Sequence, residues 1–286
     1  MGDKMIDANQ MLKKAMDEKY AVPQFNINNL EWAKFILEEC QKNNSPVILG
    51  VSEGAIKYMG GYDVVNFLVR TLVLNLNITI PVCLHLDHGS SFESCKKAID
   101  AGFTSVMIDA SKESLEDNIK ITNQVIEYAK KNDVSVEAEI GHIGGEEDGV
   151  VADVAYAKVE DAVKFYEETK VDFFAPALGS VHGLYKGEPK LDFERMNEIR
   201  NLLKIPLVLH GGTGIPDDLI RKSINNGICK ININTELQIE WSTAVKEFLK
   251  TNQEVIDPRK VIKSGEESMK KAIQKKIDLL GSNGKG

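Results

Sequence analysis

Residues 79–89 read TIPVCLHLDHG. An apolar, β-branched run ends in an acid, a histidine and a glycine, the profile of a buried strand that stops at polar residues. Residues 171–183, VDFFAPALGSVHG, and 205–212, IPLVLHGG, repeat the pattern. His88, His182 and His210 each follow an apolar run, and each precedes a glycine. The chain holds five histidines, so three in equivalent positions form a pattern rather than scatter. If the strands are parallel neighbours, their ends converge. Three neutral imidazoles around a divalent ion leave a fourth position for water or substrate.

Working outward, strand-like runs recur at Tyr20–Ile27, Pro46–Ser52, Thr79–Asp87, Phe103–Asp109, Val134–Ile140, Val171–Leu178, Ile205–His210 and Ile228–Asn234. Amphipathic stretches such as Leu30–Asn43, Tyr62–Asn75 and Ser114–Lys131 lie between them, with apolar residues at helical spacing. Strands flanked by helices and buried on both faces call for parallel pairing. Eight such units predict one closed (β/α)8 barrel of the TIM type over residues 1–286. A doubly wound open sheet is the rival, but no Rossmann glycine fingerprint follows the first strand. From about Asp257 the chain reads as one added helix, with Asp257 as N-cap and Pro258 at its first position. The final GSNGKG reads as a frayed tail.

Composition narrows the function. A formal net charge of −8 argues against a nucleic-acid partner. No apolar stretch reaches spanning length, which argues against a membrane. The N-terminus is charged and lacks a signal-peptide profile. The four cysteines, Cys40, Cys83, Cys95 and Cys229, show no C-x-x-C pairing. Reduced thiols in a cytoplasmic protein are the expectation.

Barrel enzymes place their chemistry at the C-terminal ends of the strands. Here those ends carry Asn26, Ser52, Asp87 and His88, Asp109, Glu139, Gly179–His182, His210–Gly214 and Asn232–Thr235. Asp87 beside a metal pocket suits a general acid or base. In a regular strand Asp87 and His88 point to opposite faces, so both reach the site only if the strand turns, and Gly89 permits that turn. His85 lies inside its strand and reads as structural or as support for the site. The stretch GHIGGEEDG, residues 141–149, has the composition of a mobile lid able to carry Glu146 and Glu147 inward. His142 within it reads as solvated. HGGTG and NINTE follow strands seven and eight, where barrel enzymes bind phosphate on backbone N–H groups. Thr213 and Thr235 add hydroxyls.

HLDHGSSFESC, VEAEIGHIGGEEDG, APALGSVHGLYKGEP, LVLHGGTGIP, CKININTELQ and DPRK together resemble class II, zinc-dependent fructose-1,6-bisphosphate aldolases. The resemblance runs from QFNINNLE to DPRK. It implies reversible cleavage of fructose 1,6-bisphosphate to dihydroxyacetone phosphate and glyceraldehyde 3-phosphate, in glycolysis and gluconeogenesis. It places the metal ligands on His88, His182 and His210, a proton-transferring acid on Asp87 and a deprotonating one on Glu147. Glu139 matches a residue near the zinc, and Asp109 a second metal position. Phosphate contacts fall on Gly183, Lys186, Gly211, Thr213, Asn234 and Thr235, and a ketose contact on Asn232. Carbonyls of Val181, Gly183 and Gly211 match a monovalent-cation site for Na+ or K+. Arg259 matches an arginine that reaches a neighbouring subunit's substrate, which implies a homodimer or homotetramer. Three histidines accept Zn2+, Co2+ or another first-row ion.

Three alternatives accompany this reading. Asn234 stands where fructose-specific relatives often carry Asp and tagatose-bisphosphate relatives often Ala; Asn is also typical of one fructose-specific branch, so fructose is expected and tagatose 1,6-bisphosphate is the rival substrate. Lys230 on strand eight could instead form a Schiff base. A non-catalytic sugar-phosphate or metal-binding protein is the third, against which Asp87 and Glu147 argue.

Overall fold

In the computed structural model the described residues are 5–141, 143–147, 150–152, 155–183, 185 and 187–286, with backbone alone for 145–147 and 150–152. The strands in chain order are β1 Val22–Asn26, β2 Val47–Ser52, β3 Val82–Gly89, β4 Ser105–Ile108, β5 Ser135–Ile140, β6 Gly144–Glu147, β7 Val150–Ala152, β8 Phe173–Pro176, β9 Val181–His182, β10 Leu207–Leu209 and β11 Ile228–Ile233. Eight of them close a parallel barrel in the order β1-β11-β10-β8-β5-β4-β3-β2. Closure is made by β1 on β11, with Val22 opposite Lys230 and Gln24 opposite Asn232. The predicted (β/α)8 architecture is the one observed.

The helices are α1 Ala8–Glu18, α2 Leu30–Lys42, α3 Glu53–Met59, α4 Tyr62–Asn75, α5 Phe92–Asp100, α6 Leu115–Lys130, α7 Val159–Thr169, α8 Phe193–Leu203, α9 Asp217–Asn225, α10 Thr235–Thr251, α11 Pro258–Lys263 and α12 Glu266–Leu280. Local chemistry sets many of their starts. Asn29, Ser52, Ser91 and Ser114 each accept a backbone N–H from the first turn of the helix they cap, a contact worth about 1 kcal/mol.

Alternation along each strand divides the core in two. Phe25, Leu49, Leu84, Leu86, Val106 and Ile231 face outward and pack with helix residues such as Phe35, Ile36 and Val69. Val22, Ile48, Cys83, Phe173 and Val208 face inward at the N-terminal end of the barrel, where Ala8, Met11, Leu12 and Ala15 of α1 cover them. One end of the barrel is thus plugged by α1, which leaves the C-terminal end for the polar residues.

One expectation is refined and two are revised. The added C-terminal helix is present and bent, as α11 and α12, at Gly265, where a Cβ would lie 2.2 Å from Trp241 Cδ1. The break lets the chain turn under Trp241, which also donates Nε1–H to Ile262 O. The tail is anchored rather than frayed: Gly284 N–H donates to Asn43 O and Gly286 N–H to Asn44 O at 2.8 Å, and Ser282 is buried. Backbone hydrogen bonding, invisible in a Gly/Ser-rich composition, holds it. Finally, the glycine-rich stretch contains a paired strand. β6 runs antiparallel to β7 and parallel to β9, with Gly145 opposite His182.

Candidate metal centre

The three histidines converge. One ligand atom from each of His88, His182 and His210 lies within 4.8 Å of the others, and His88 Nε2 is 2.9 Å from His210 Nδ1. His210 follows β10 directly, as expected from a strand end. His182 does not end barrel strand β8; it sits on β9, six residues after Pro176, where pairing with β6 fixes its backbone.

His88 reaches the site by an unexpected device. Its own backbone is left-handed, with φ 52°, and the β3–β4 register shifts between Leu86 and Gly89. The turn expected at Gly89 is therefore made at His88, so that neighbours Asp87 and His88 both face the centre. Gly89 is needed for space: a Cβ there would meet Met107 O at 2.6 Å.

Asp87 is buried and accepts Nδ2–H bonds from Asn26 at 2.8 Å and Asn232 at 3.2 Å. Burial alone would raise its carboxyl, but the electropositive surroundings made by His88, His210, Lys230 and His85 hold it well below the usual range. Burial lowers His182 and His210, keeping their lone pairs available. A second group, His88, Asp109 and Glu139, also brings its ligand atoms within 4.8 Å. His88 Nδ1 lies 2.9 Å from Asp109 Oδ2. Burial and then the Asp109 charge push Glu139 up, so a cation arriving there would displace a proton. Neutral nitrogens converging from three directions, with carboxylates beside them, fit a small divalent ion.

In the layer below, His85 takes the supporting place read for it in the sequence, whereas Glu137 was missed. Glu137, Lys230 and His85 fill the barrel interior, all with no exposed side-chain surface. Lys230 Nζ donates to Glu137 Oε2 at 2.7 Å, and His210 Nε2 lies 2.8 Å from Glu137 Oε1. The same amine was the candidate Schiff-base nucleophile; it is ion-paired beneath the histidines. Desolvating two charges costs several kcal/mol per ion, and apolar side chains of similar volume are often more stable. A visible signal was VEAEI, where Glu137 and Glu139 alternate onto one strand face. Tyr185 was also missed: its OH accepts from Val181 N–H at 3.1 Å and donates to Gly211 O at 3.3 Å. It ties together the two segments expected to hold a monovalent ion.

The other candidates are distributed around this centre. Gly211, with φ 65°, lies so close to Val181 that a Cβ would be 2.1 Å from its carbonyl oxygen; Gly183 is also left-handed. Thr213 is buried and accepts Glu236 N–H at 3.3 Å. Asn234 precedes α10, which Thr235 opens, and its buried Oδ1 has no hydrogen-bond partner among the described residues. Ser52 caps α3. Arg259 is exposed and ion-paired to Asp257 at 2.9 Å. Lys186 and His142 lie outside the described residues, as do the side chains of Glu146 and Glu147.

Residues 6–285 match the family model described as fructose-bisphosphate aldolase class-II. The chain is 55% identical to a fructose-bisphosphate aldolase of Geobacillus stearothermophilus over 282 residues, covering 98% of both chains. It is 54% identical to one of Staphylococcus epidermidis, again covering 98% of each. Among solved structures it resembles the YdjI aldolase of Escherichia coli K12, with TM-score 0.85, 31% identity and coverage of 98% and 99%. The fructose-bisphosphate aldolase of Campylobacter jejuni gives TM-score 0.84 at 27% identity, covering 99% and 97%.

Proposed function

The chain belongs to the class II fructose-bisphosphate aldolase family, and from that premise we propose how its own residues carry the reaction. The enzyme is a metal-dependent aldolase that reversibly cleaves fructose 1,6-bisphosphate to dihydroxyacetone phosphate and glyceraldehyde 3-phosphate, a reaction of glycolysis. The observation that carries the residue assignment is the convergence of three imidazoles beside a buried, ionised Asp87.

His88, His182 and His210 would hold the divalent cation, with Zn2+ the first choice and Co2+ an acceptable substitute. When bound, it supplies Lewis-acid stabilisation of oxygen charge that develops during cleavage. Asp87 is held by Asn26 and Asn232, so its proton-accepting oxygens have a fixed direction. In cleavage it takes the C4 hydroxyl proton; that O–H pair becomes the aldehyde carbonyl as the C3–C4 pair moves to C3. Glu147 then delivers a proton to C3, and in synthesis removes it. Its strand is paired to the strand that bears His182, which supports delivery at this centre. Asp109 and Glu139 form an alternate cation position.

Gly183, Lys186, Gly211, Thr213, Asn234 and Thr235 would bind the phosphates. Backbone N–H groups and the α10 N-terminus favour an anion there. Asn26, Ser52 and Asn232 would contact the sugar. Val181, Gly183 and Gly211 carbonyls, brought together by Tyr185, suit Na+ or K+. Arg259 lies exposed where it could serve a neighbouring protomer. Val64, Phe67 and Leu74 expose an apolar row on α4, which supports a homo-oligomer. Four buried free thiols support a cytoplasmic location. No helix among the described residues is long and apolar enough to cross a membrane.

The test is cleavage of fructose and tagatose 1,6-bisphosphates with EDTA, with Zn2+ restored and with borohydride. Loss to chelator, return with zinc and preference for the fructose epimer are expected. Borohydride trapping of a substrate adduct on Lys230, or preference for tagatose, would overturn the corresponding part.

A further inference from the structure

Beneath the three histidines lies a fully buried chain of polar groups. His210 Nε2 is 2.8 Å from Glu137 Oε1, Lys230 Nζ donates to Glu137 Oε2 at 2.7 Å, and His85 Nε2 is 3.5 Å from the same oxygen. His85 is in turn tied to Ser105 Oγ through Nδ1 at 2.8 Å. We propose that Glu137, oriented by Lys230, is a positioning residue that fixes the tautomer of His210, keeping its proton on Nε2 and its lone pair on Nδ1.

The argument is one of donors and acceptors. An ionised carboxylate only accepts, so the proton between Glu137 and His210 belongs to the imidazole. Glu137 is the ion-pair partner of Lys230: the ammonium donates to Oε2 at 2.7 Å, which leaves Oε1 to accept from His210. A neutral imidazole has one N–H. With that proton on Nε2, Nδ1 presents a lone pair. Nδ1 is the nitrogen that faces His88 Nε2 at 2.9 Å, and Asn232 Nδ2 lies 3.3 Å from it. Glu137 at Nε2 and the nearer approach of the Asn232 amide, at Nδ1, agree with this tautomer, and with Nδ1 turned toward His88 it is the tautomer a metal ligand requires. Lys230 fixes which carboxylate oxygen is left for His210. Fixing a ligand's tautomer in this way gives a role to an ion pair that is costly to bury.

This predicts an unusual pair of variants. In Glu137→Gln, Lys230 still needs an acceptor and takes the amide carbonyl. The amide NH2 then faces His210 Nε2, drives the proton to Nδ1 and blocks the ligand atom. In the double variant Glu137→Gln with Lys230→Met, the carbonyl is free to turn to His210 and restore the original tautomer. The readout is Co2+ affinity of the chelator-stripped full chain, measured by competition with a chromophoric chelator, with melting curves to confirm folding. Glu137→Gln is expected to weaken Co2+ binding about 10–100-fold, in the range of outer hydrogen-bond partners of metal ligands. The double variant should regain most of that factor.

A double variant as weak as the single one, or a single variant binding like wild type, overturns the proposal. Should Glu137→Gln fail to fold, nitrogen-15 NMR of the metal-free wild-type histidines decides: His210 protonated at Nε2 supports the proposal, and protonation at Nδ1 overturns it. The inference rests on His210 being a ligand. Unchanged Co2+ affinity in His210→Ala would remove that role and the metal consequence together, whereas an Nδ1–H tautomer would remove only the part given to Glu137.

Discussion

Replacing Asp87 by asparagine separates proton transfer from metal holding. The carboxylate accepts from Asn26 at 2.8 Å and from Asn232 at 3.2 Å. An amide of the same shape keeps one acceptor oxygen and turns an NH2 group toward the other donor. One buried donor is left unsatisfied, at about 1–3 kcal/mol. For a chain of this size that lowers the melting point by only a few degrees. None of the three histidine ligand atoms is removed, so metal should stay bound. The catalytic loss is larger. Removing a positioned general base typically costs about 10²–10⁴ in rate, or roughly 3–5 kcal/mol of barrier. With Asp87 acting on the reacting hydroxyl in the transition state, as proposed, kcat should carry the loss with KM little changed. The assay is coupled detection of triose phosphate with metal counted per chain by elemental analysis. Asp87→Asn with kcat within about tenfold of wild type would show that it is not the base. Metal lost in parallel with activity would make it a structural support instead.

Two further outcomes test the surroundings. His85 is buried neutral, with burial and then Lys230 lowering it from 6.5 to about 3. As pH falls below 6.5 the unfolded chain binds the proton first, so stability is lost from there down toward the folded value. Between pH 6.5 and 5 the metal-free wild type should lose roughly 2 kcal/mol more than His85→Asn in urea titrations; parallel slopes would mean that His85 is not held neutral. Gly89→Ala places a methyl 2.6 Å from the backbone oxygen of Met107, which cannot rotate away. A loss of about 1–3 kcal/mol is expected, read by thermal denaturation, and an unchanged melting point would show that the β3–β4 bulge yields.

Much of this barrel was legible because strands buried on both faces write themselves as apolar runs. Val47–Ser52 and Ser135–Ile140 lie within the predicted runs. The strand ends were legible for a related reason. Polar residues such as Asp87 and His210 interrupt an apolar context, and a parallel barrel leaves one place for them to meet. What escaped has a different origin. Glu137 and Gln24 point into the barrel between apolar neighbours that point out, as does Lys230, whose ion-pair role was not read, and period-two patterning is faint when both faces are buried. The β6–β9 pairing depends on contact between segments more than thirty residues apart. The anchored tail is held through main-chain groups, which every residue type carries and no composition reveals. Gly265 was passed over because a single glycine inside a helical pattern gives no sign that Trp241 occupies the space its Cβ would need.

The left-handed backbone of His88 has a consequence for anyone who sets out to improve this protein. A side chain in that conformation costs about 1–2 kcal/mol that glycine would not. Position 88 is thus one where heat resistance and the proposed metal ligation ask for different residues. A library selected only for surviving high temperature will favour replacing this histidine, and its most robust members will be inert. Selection for robustness here has to hold that position constant and seek its gains elsewhere, on the helices and in the plug beneath the barrel.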